Sequence, residues 1–413
     1  MDTYRYPKPY LVEELQPLRR SLRIAMVTES YPPEVNGVAN SVARLVTGLR
    51  GREHSVQLVR PRPTEPDTAP GAKQPDDVLT RGMAIPMYGH LRMGLPCKAE
   101  LVKLWTLRRP DLVHIATEGP LGWSALHAAR KLRLPVCSDF RTNFHAYSQY
   151  YRMGWLHQPI VGYLRKFHNH CDCTMVPTEA LRIQLDRSGF HPLTVVARGV
   201  DTGHFSPDKR STALRQHWGL ADDDVAVLHI GRLAAEKNLP VLVQAFHHLQ
   251  AQQPTARLVI VGDGPARAEL LAQVPQAIFA GFRSGDDLAA HYASSDLFLF
   301  PSLTETYGNV TPEAMASGLG IVAFDDAAAG ELIRHRHSGM LAQKADAAAF
   351  VQLASFMAAN HAARRAMGRE ARLRAQGLSW DAIVRRVEDI YHTAIGQTYA
   401  PMPRTVWPQA VGG

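Results

Sequence analysis

Short apolar runs alternate with amphipathic stretches along most of this chain. Runs that predict strands lie at residues 22–28, 54–60, 111–116 and 135–140. A helical pattern over residues 38–49 follows the first run, and another over residues 96–109 precedes the third. Strands that alternate with helices in this way predict a parallel, doubly wound sheet of the α/β class.

The same alternation resumes after a polar connector at residues 208–224. Further predicted strands start at Val225, Leu258, Ile278, Asp296 and Gly320. Because 413 residues exceed what one ordinary hydrophobic core accommodates, we expect two domains.

One stretch of the second half joins a predicted buried strand to a helix, and it reads F-P-S-L-T-E-T-Y-G-N-V-T-P-E-A-M-A-S-G from Phe300 to Gly318. Pro312 suits the first helical position because its missing N–H is not needed there, and Thr311 can cap the helix. Free backbone N–H groups at a helix N-terminus bind anions. The residues predicted to present them are Gly308, Asn309, Val310 and Thr311.

Two carboxylates flank this predicted anion site. Glu305 lies on the loop after the strand, and Glu313 lies eight residues further on, in the first turn of the helix. Carboxylates accept hydrogen bonds from hydroxyl groups, so an anion site between them fits a sugar linked to a phosphate. The alternative is an ordinary strand-to-helix turn whose glutamate interacts favourably with the helix dipole.

A second candidate site follows the strand that starts at Val225. Gly231-Arg-Leu-Ala-Ala-Glu-Lys contains two cations, Arg232 and Lys237, which would bracket a diphosphate. A salt-bridged helix start is the alternative. The next strand ends in a tight turn at Gly262, which lacks the dinucleotide fingerprint because Arg267 stands where a third glycine would be.

Composition narrows the class of protein. Apolar residues make up 46% and charged residues 20%, as in ordinary globular proteins, and no apolar run is long enough to span a membrane. The first residues lack the apolar segment of a signal peptide, and four cysteines do not make a disulfide scaffold. We therefore expect a cytoplasmic protein. Nothing in the pattern predicts a nucleic-acid partner, and the oligomeric state stays open.

The net charge of +8 is unevenly distributed. Residues 1–198 carry 27 Lys+Arg and 17 Asp+Glu, a balance of +10, whereas residues 199–413 carry 19 and 21, a balance of −2. A basic half suggests an anionic partner, and solubility alone is the alternative.

Residues 96–109 suggest what that partner is, because they combine an apolar face that includes Trp105 with four cations. The cations are Lys98, Lys103, Arg108 and Arg109. Such a stretch favours peripheral contact with the inner face of the cell membrane. The alternative is a surface helix packed on the first sheet.

Together the motifs resemble one known family. The E-x7-E spacing of Glu305 and Glu313, with Y-G-N inside it, and the G-R-L-x-x-E-K-N pattern at residues 231–238 resemble the retaining GT-B glycosyltransferases of family 4. Residues 300–318 are most similar to bacterial mannosyltransferases and sulfoquinovosyltransferases that glycosylate lipids. The resemblance covers roughly residues 23–395.

This resemblance implies two Rossmann-like domains that face each other across a cleft. The implied reaction moves mannose or a glucose-type sugar from a nucleotide diphosphate, such as GDP-mannose, to a hydroxyl of a lipid or other acceptor. The anomeric configuration would be retained, and no metal or other cofactor is expected. The implied N-terminal arm, acceptor domain, donor domain, helix returning to the first domain and tail are residues 1–20, 21–198, 199–379, 380–398 and 399–413.

The resemblance also assigns residue roles. Gly37, after the first strand, would face the donor phosphate and sugar, and Gly281 and Phe282 would lie near the base. The family's F-H-T-x-F pattern, whose His contacts the transferred sugar, reads F-R-T-N-F from Phe140 here, with a histidine four residues late. Either Arg141 replaces the family's His, or His145 reaches in from a neighbouring turn.

Other functions share parts of the pattern. A sugar-nucleotide epimerase or hydrolase of the same fold would need no lipid, and a non-catalytic sugar-nucleotide sensor would keep the site without turnover. A Rossmann oxidoreductase would need a glycine-rich fingerprint that residues 26–38 lack. Metal binding is not predicted, because residues 168–173 have no second ligand pair and the D-x-D of residues 222–224 precedes a strand.

Overall fold

The computed structural model describes residues 20–34, 37–63, 76–85, 88–141 and 157–398. The strands of the first half are β1 (Arg23–Val27), β2 (Ser55–Pro61), β3 (Val78–Thr80), β4 (Gly82–Ile85), β5 (Tyr88–Gly94), β6 (Leu112–Ile115), β7 (Val136–Asp139), β8 (Cys173–Val176) and β9 (Leu193–Val195). Those of the second half are β10 (Ala226–Ile230), β11 (Arg257–Val261), β12 (Ile278–Gly281), β13 (Leu297–Phe300), β14 (Gly320–Phe324) and β15 (Met340–Ala342).

The helices between them begin with α1 (Gly37–Gly51), α2 (Lys98–Leu107), α3 (Pro120–Lys131), α4 (His157–His168) and α5 (Glu179–Arg187). The second half adds α6 (Thr212–His217), α7 (Leu239–Gln252), α8 (Arg267–Gln273), α9 (Gly285–Ser294), α10 (Val310–Ala316), α11 (Ala327–Leu332), α12 (Ala347–Ala359), α13 (His361–Gln376) and α14 (Trp380–Thr398). No helix in the described ranges is both long and apolar enough to cross a bilayer.

Thirteen of the described strands form two parallel sheets, as their alternation with helices predicts. The first sheet has the order β3-β2-β1-β6-β7-β8-β9, and the second has the order β12-β11-β10-β13-β14-β15. Strands β6, β10, β13 and β14 are buried along their whole length, which explains why they appear in the sequence as continuous apolar runs. The α/β class and the two-sheet architecture are therefore confirmed.

Each face of the second sheet has its own hydrophobic core. Alternate residues of β10 point to opposite faces, so Val227 packs with Phe246 of α7, whereas Leu228 packs with Met315 of α10. Buried helices on both faces are the normal environment of an all-parallel sheet.

Helix α14 crosses back to the first sheet, as expected for the last helix. Its residues Val384, Val387 and Tyr391 share a core with Ile24 and Met26 of β1. The same helix is anchored by a buried carboxylate, because Oε2 of Glu388 accepts hydrogen bonds of 2.9 and 2.8 Å from the guanidinium of Arg52.

Two details of the first half differ from the expectation. Strands β4 and β5 form an antiparallel hairpin that the apolar pattern does not predict. Helix α2 is present, but Trp105 is fully buried in the core with Leu101, and its indole N–H donates to Gln57 at 3.0 Å. The apolar face of this helix therefore packs on the first sheet, which was the alternative interpretation, and Trp105 does not reach a membrane.

Candidate active site

A cleft of about 640 Å³ lies between the carboxyl ends of the two sheets. The strand order reverses between β1 and β6 in the first sheet and between β10 and β13 in the second, and open α/β sheets bind ligands at such reversals. The first half lines the cleft with Glu29, Ser30, Glu34, Gly37, Val38, Arg92, Thr117, Arg141 and Arg198. The second half lines it with Ile230, Gly231, Lys237, Glu305, Thr306, Tyr307, Gly308, Asn309 and Val310.

An ion pair forms one wall of the cleft. Lys237, on a short turn after β10, donates to Oε1 of Glu305, on the loop after β13, and the hydroxyl of Ser302 donates to the same oxygen at 2.8 Å. Both charged side chains are only 15% exposed. Since an ammonium has three donors and a carboxylate has two oxygens, the pair keeps hydrogen-bonding capacity for a substrate.

Arg141 follows β7 on the opposite wall and is held by the carboxylate of Asp139. Its Nε and Nη2 donate to Oδ2 of Asp139 at 3.0 and 2.5 Å, and Nε2 of His114 lies 3.2 Å from the same oxygen. Burial opposes ionisation of Asp139, but Arg141 and His114 outweigh it and hold the pKa of Asp139 well below its usual range. The remaining Nη1 of Arg141 is buried and has no hydrogen-bond partner within the described ranges. A polar group left in this way suits a ligand oxygen.

Arg198 is a third cation in the cleft, and it is not among the site residues predicted from the sequence. Its guanidinium lies over the ring of Tyr307, 5.7 Å from the centroid. Burial, together with the nearby charge of Arg141, lowers the pKa of Arg198 to about 10, so the side chain is still charged at neutral pH. Its position could have pointed to this role, because Arg198 follows β9 at the carboxyl edge of the first sheet.

The helix of the predicted anion site begins two residues earlier than expected. Helix α10 starts at Val310, Asn309 is its N-cap, and the residue before it, Gly308, has a φ of 86° that favours glycine. Thr311 is therefore inside the helix and is not its cap, and its N–H donates to the carbonyl of Gly308 at 3.0 Å. Pro312 is the third helical residue. In the described structure the N–H groups of Gly308, Asn309 and Val310 have no acceptor, so three of the four predicted donors remain.

Glu313 does not share the cleft with Glu305. Its Oε2 accepts a hydrogen bond of 2.8 Å from the hydroxyl of the buried Tyr292 on α9. Burial raises the pKa of Glu313 to about 7, against the opposing effect of the Tyr292 hydroxyl. This carboxyl is therefore only partly ionised at neutral pH.

Comparison with known proteins identifies the family. The descriptions "Glycosyltransferase Family 4" and "Glycosyl transferases group 1" match residues 35–204 and 224–360. A GDP-mannose-dependent alpha-mannosyltransferase from Corynebacterium glutamicum is 33% identical over 337 residues, which cover 79% of this chain and 78% of that protein. The chain belongs to glycosyltransferase family 4.

Other relatives and a solved structure agree with this assignment. Sulfoquinovosyl transferase from Arabidopsis thaliana is 28% identical, with coverage of 91% of this chain and 74% of that protein. An alpha-monoglucosyldiacylglycerol synthase from Streptococcus pneumoniae is also 28% identical, with coverage of 78% and 75%. The structure of sucrose-phosphate synthase from Thermosynechococcus elongatus has a TM-score of 0.74, covers 92% of this chain and all of its own, and is 20% identical, which supports the GT-B fold alone.

The cleft of this family 4 glycosyltransferase brings together seven of the residues selected from sequence. They are Gly37, Arg141, Lys237, Glu305, Gly308, Asn309 and Val310. Gly37 and Asn309 meet from opposite sides, since a Cβ on Gly37 would lie 3.5 Å from Nδ2 of Asn309. His145 lies outside the described residues.

The other predicted donor-binding residues lie beside the cleft. Gly262 has a φ of 128°, and a Cβ there would lie 2.0 Å from the carbonyl oxygen of Gly231, so glycine is required for β10 and β11 to end side by side. Its N–H donates to the carbonyl of Gly281 at 2.8 Å, and Phe282 beyond it is 65% exposed. Contact of Gly281 and Phe282 with the base stays a prediction.

Arg232 differs from its predicted position. It is exposed and does not line the cleft, so it does not bracket a site with Lys237 in this structure. Arg198, from the other half of the chain, lies in the cleft with Lys237 instead.

Proposed function

We propose that this glycosyltransferase moves a hexose from a nucleotide diphosphate donor to a hydroxyl of a lipid acceptor, with retention of configuration and without a metal. The observation that carries the proposal is the convergence of positive groups on one cleft. Lys237 lies on one wall and Arg141 and Arg198 line the other. Residues 308–310, whose N–H groups have no acceptor in the described structure, line the same space.

These groups suit the stabilisation of a departing diphosphate. Negative charge accumulates on the leaving oxygen as the glycosidic bond to phosphate breaks, and prepositioned cations and N–H dipoles lower the energy of that state. Arg198 contributes a guanidinium fork that matches phosphate oxygens, whereas Lys237 contributes a point charge. In this proposal the protein's own cations do the work that a metal ion does in other transferases.

The carboxylates of the cleft support retention without a covalent intermediate. Glu305 is paired with Lys237, Glu34 accepts from Ser30 at 2.8 Å, and Glu29 accepts the N–H of Leu121 at 2.9 Å. Burial also raises the pKa of Glu29 to about 7, so part of this carboxyl is protonated at neutral pH. Each carboxylate thus already has a partner within the protein.

The proposed step then uses the leaving group as the base. The bond between the anomeric carbon and the diphosphate oxygen breaks, and a bond forms between that carbon and the acceptor oxygen on the same face. The acceptor hydroxyl gives its proton to the departing diphosphate oxygen. Glu305 would hold a hydroxyl of the transferred sugar with its free oxygen, since carboxylates accept such hydrogen bonds.

Mannose is the donor sugar that we propose first, because the Corynebacterium relative is GDP-mannose-dependent. A lipid acceptor follows from the relative that makes monoglucosyldiacylglycerol. We also propose that the protein works on the inner face of the cell membrane through peripheral contact. The basic balance of residues 1–198 supports this contact, whereas Trp105 no longer does.

The proposal is tested by incubating the protein with labelled GDP-mannose, UDP-glucose or UDP-sulfoquinovose, each with and without a lipid extract. We expect label in the lipid fraction from one donor, GDP-mannose above the others, and none with Lys237→Ala. Release or isomerisation of the sugar without lipid would favour the epimerase or hydrolase alternative. Tight donor binding without any conversion would favour the sensor.

A further inference from the structure

Tyr391 on the returning helix α14 is connected to the cleft through buried polar contacts. Its hydroxyl lies 2.5 Å from Nδ1 of His114 on β6, and the two rings pack edge to face with centroids 5.7 Å apart. Nε2 of His114 lies 3.2 Å from Oδ2 of Asp139, the oxygen that accepts both Nε and Nη2 of Arg141. Tyr391 and His114 are fully buried.

Tyr391, His114, Asp139 and Arg141 form a series in which hydrogen-bond donors face acceptors. Burial raises the pKa of Tyr391 well above its usual value, so the hydroxyl stays protonated and donates to Nδ1 of His114. In the tautomer of His114 that accepts this hydroxyl at Nδ1, the Nε2–H group faces Asp139, 3.2 Å from Oδ2. The Asp139 carboxylate thus has Nε2 of His114 at 3.2 Å on one side and accepts two hydrogen bonds from Arg141 on the other.

A small cavity lies beside Asp139. The cavity measures about 40 Å³ and is lined by Asp139, Arg141, Arg198 and Trp380, among others. That volume exceeds the space of one water molecule, so side-chain packing does not enclose the Asp139 carboxylate on this side. The contact with His114 restrains it, and the restrained carboxylate sets the plane of the Arg141 guanidinium.

We propose that Tyr391 and His114 are positioning residues that orient Arg141 in the cleft. The inference rests on the proposed role of Arg141 in binding the donor. It makes helix α14 a part of the active site, because a hydroxyl on that helix helps to hold a residue that lines the cleft. The competing explanation is that Tyr391 and His114 only stabilise the core.

A double-mutant cycle separates the two explanations. Tyr391→Phe removes one hydroxyl, and we expect it to lower kcat about 3- to 10-fold, the effect of one lost hydrogen bond. In an Arg141→Met background the same change should have almost no further effect on kcat, because the group that it orients is gone. If Tyr391→Phe lowered kcat by the same factor in both backgrounds, or left kcat unchanged in the otherwise wild-type enzyme, the proposal would be overturned.

Two further measurements keep stability and activity apart. Tyr163→Phe, which removes a hydroxyl bonded to the carbonyl of Glu118, is the matched control and should leave kcat unchanged. Thermal unfolding of each variant shows whether a loss of kcat follows a loss of fold.

An NMR readout tests the proposal even without turnover. In protein labelled with ¹⁵N-arginine, the Nε–H resonance of Arg141, assigned by its absence in Arg141→Met, should shift in Tyr391→Phe. An unchanged resonance would overturn the proposal. If the resonance shifts while wild-type enzyme transfers none of the three sugars, the proposed function fails and the positioning role stands.

Discussion

Arg198 and Tyr307 are joined by two contacts that cross between the two halves of the chain. The guanidinium of Arg198 lies 5.7 Å from the centroid of the Tyr307 ring, and the Tyr307 hydroxyl donates to the carbonyl oxygen of Arg198 at 3.2 Å. Arg198 follows β9 of the first sheet, and Tyr307 follows β13 of the second. No hydrogen bond or ion pair engages the guanidinium within the described ranges, although its side chain lines the cleft.

We predict that Arg198→Met weakens binding of inorganic pyrophosphate and of GDP about 10- to 100-fold, because a charged hydrogen-bonding group contributes roughly 1.5–3 kcal/mol. Arg198→Lys keeps the charge but loses the guanidinium fork, so its affinity for both ligands should lie between that of wild type and that of Arg198→Met. Isothermal titration measures both affinities.

The matched control for this prediction is Arg44→Met. Arg44 is exposed, pairs with Asp201 at 3.2 Å and does not line the cleft, so its removal lowers the net charge equally. Equal affinities for wild type and Arg198→Met would show that Arg198 serves only to pack on Tyr307.

The unequal positions of Lys237 and Arg232 give a second prediction. Lys237→Ala and Glu305→Ala should each lower kcat at least 100-fold in folded protein, because both line the cleft and each leaves the other half-buried charge unpaired. Arg232→Ala should lower kcat less than 10-fold, since that side chain is exposed outside the cleft. Steady-state kinetics on all three variants checks the order. A loss with Arg232→Ala as large as that with Lys237→Ala would mean that Arg232 moves into the cleft when donor binds.

The raised pKa of Glu313 predicts how kcat/KM for the donor depends on pH. The pKa of Glu313 is raised to about 7, so the carboxyl is protonated below that pH and ionised above it. Glu313 lies on helix α10, whose first residue, Val310, lines the cleft. If donor binding requires the ionised form, kcat/KM for the donor rises through about pH 7 to a plateau, because this profile reports groups of the free enzyme.

Two variants test that assignment. Glu313→Gln should abolish the rise near pH 7. Tyr292→Phe removes the hydrogen bond that lowers the pKa of Glu313, so it should shift the rise to higher pH. The same profile in Glu313→Gln and wild type would assign the rise to another group.

Two substitutions in helix α2 test whether its apolar face packs in the core. Trp105→Ala should lower the free energy of unfolding by about 3–5 kcal/mol, the usual effect of emptying an aromatic core position. Leu107→Ala, at a site that is 77% exposed, should change it by less than about 0.5 kcal/mol. Urea unfolding measures both. A small effect of Trp105→Ala would contradict its place in the core.

The charges of the same helix test the membrane proposal. Wild type should sediment with anionic vesicles at low salt and much less at high salt, since each cation near an anionic leaflet contributes about 1 kcal/mol and is screened. A combined Lys98→Gln, Lys103→Gln and Arg108→Gln variant should sediment less without losing stability. Wild type that stays in the supernatant at low salt would favour a soluble acceptor.

The elements that position the site could be predicted because their signals are local. Buried strands such as β13 appear as apolar runs, and the loop from Glu305 to Val310 follows from the strand and helix on either side. The family followed from the spacing of Glu305, Glu313, Arg232 and Lys237, which are close in sequence within each motif.

What could not be predicted depends on contacts between residues far apart in the chain. Tyr307 and Arg198 are 109 residues apart, and Tyr391 and His114 are 277 residues apart, so no local pattern joins them. The sequence favoured membrane contact for Trp105, and this prediction was wrong for a related reason. A helix with one apolar face fits either a sheet or a membrane, and only its packing on the first sheet distinguishes them.

The central claim is retaining, metal-independent transfer in this cleft, and the anomeric configuration of the product tests it most directly. The lipid product made from GDP-mannose by the wild-type protein in EDTA can be analysed by NMR, from the one-bond carbon–proton coupling of its anomeric carbon. We expect a product with the configuration of the donor, formed at the same rate with and without EDTA. An inverted product, or no product until Mn²⁺ or Mg²⁺ is added, would contradict the account.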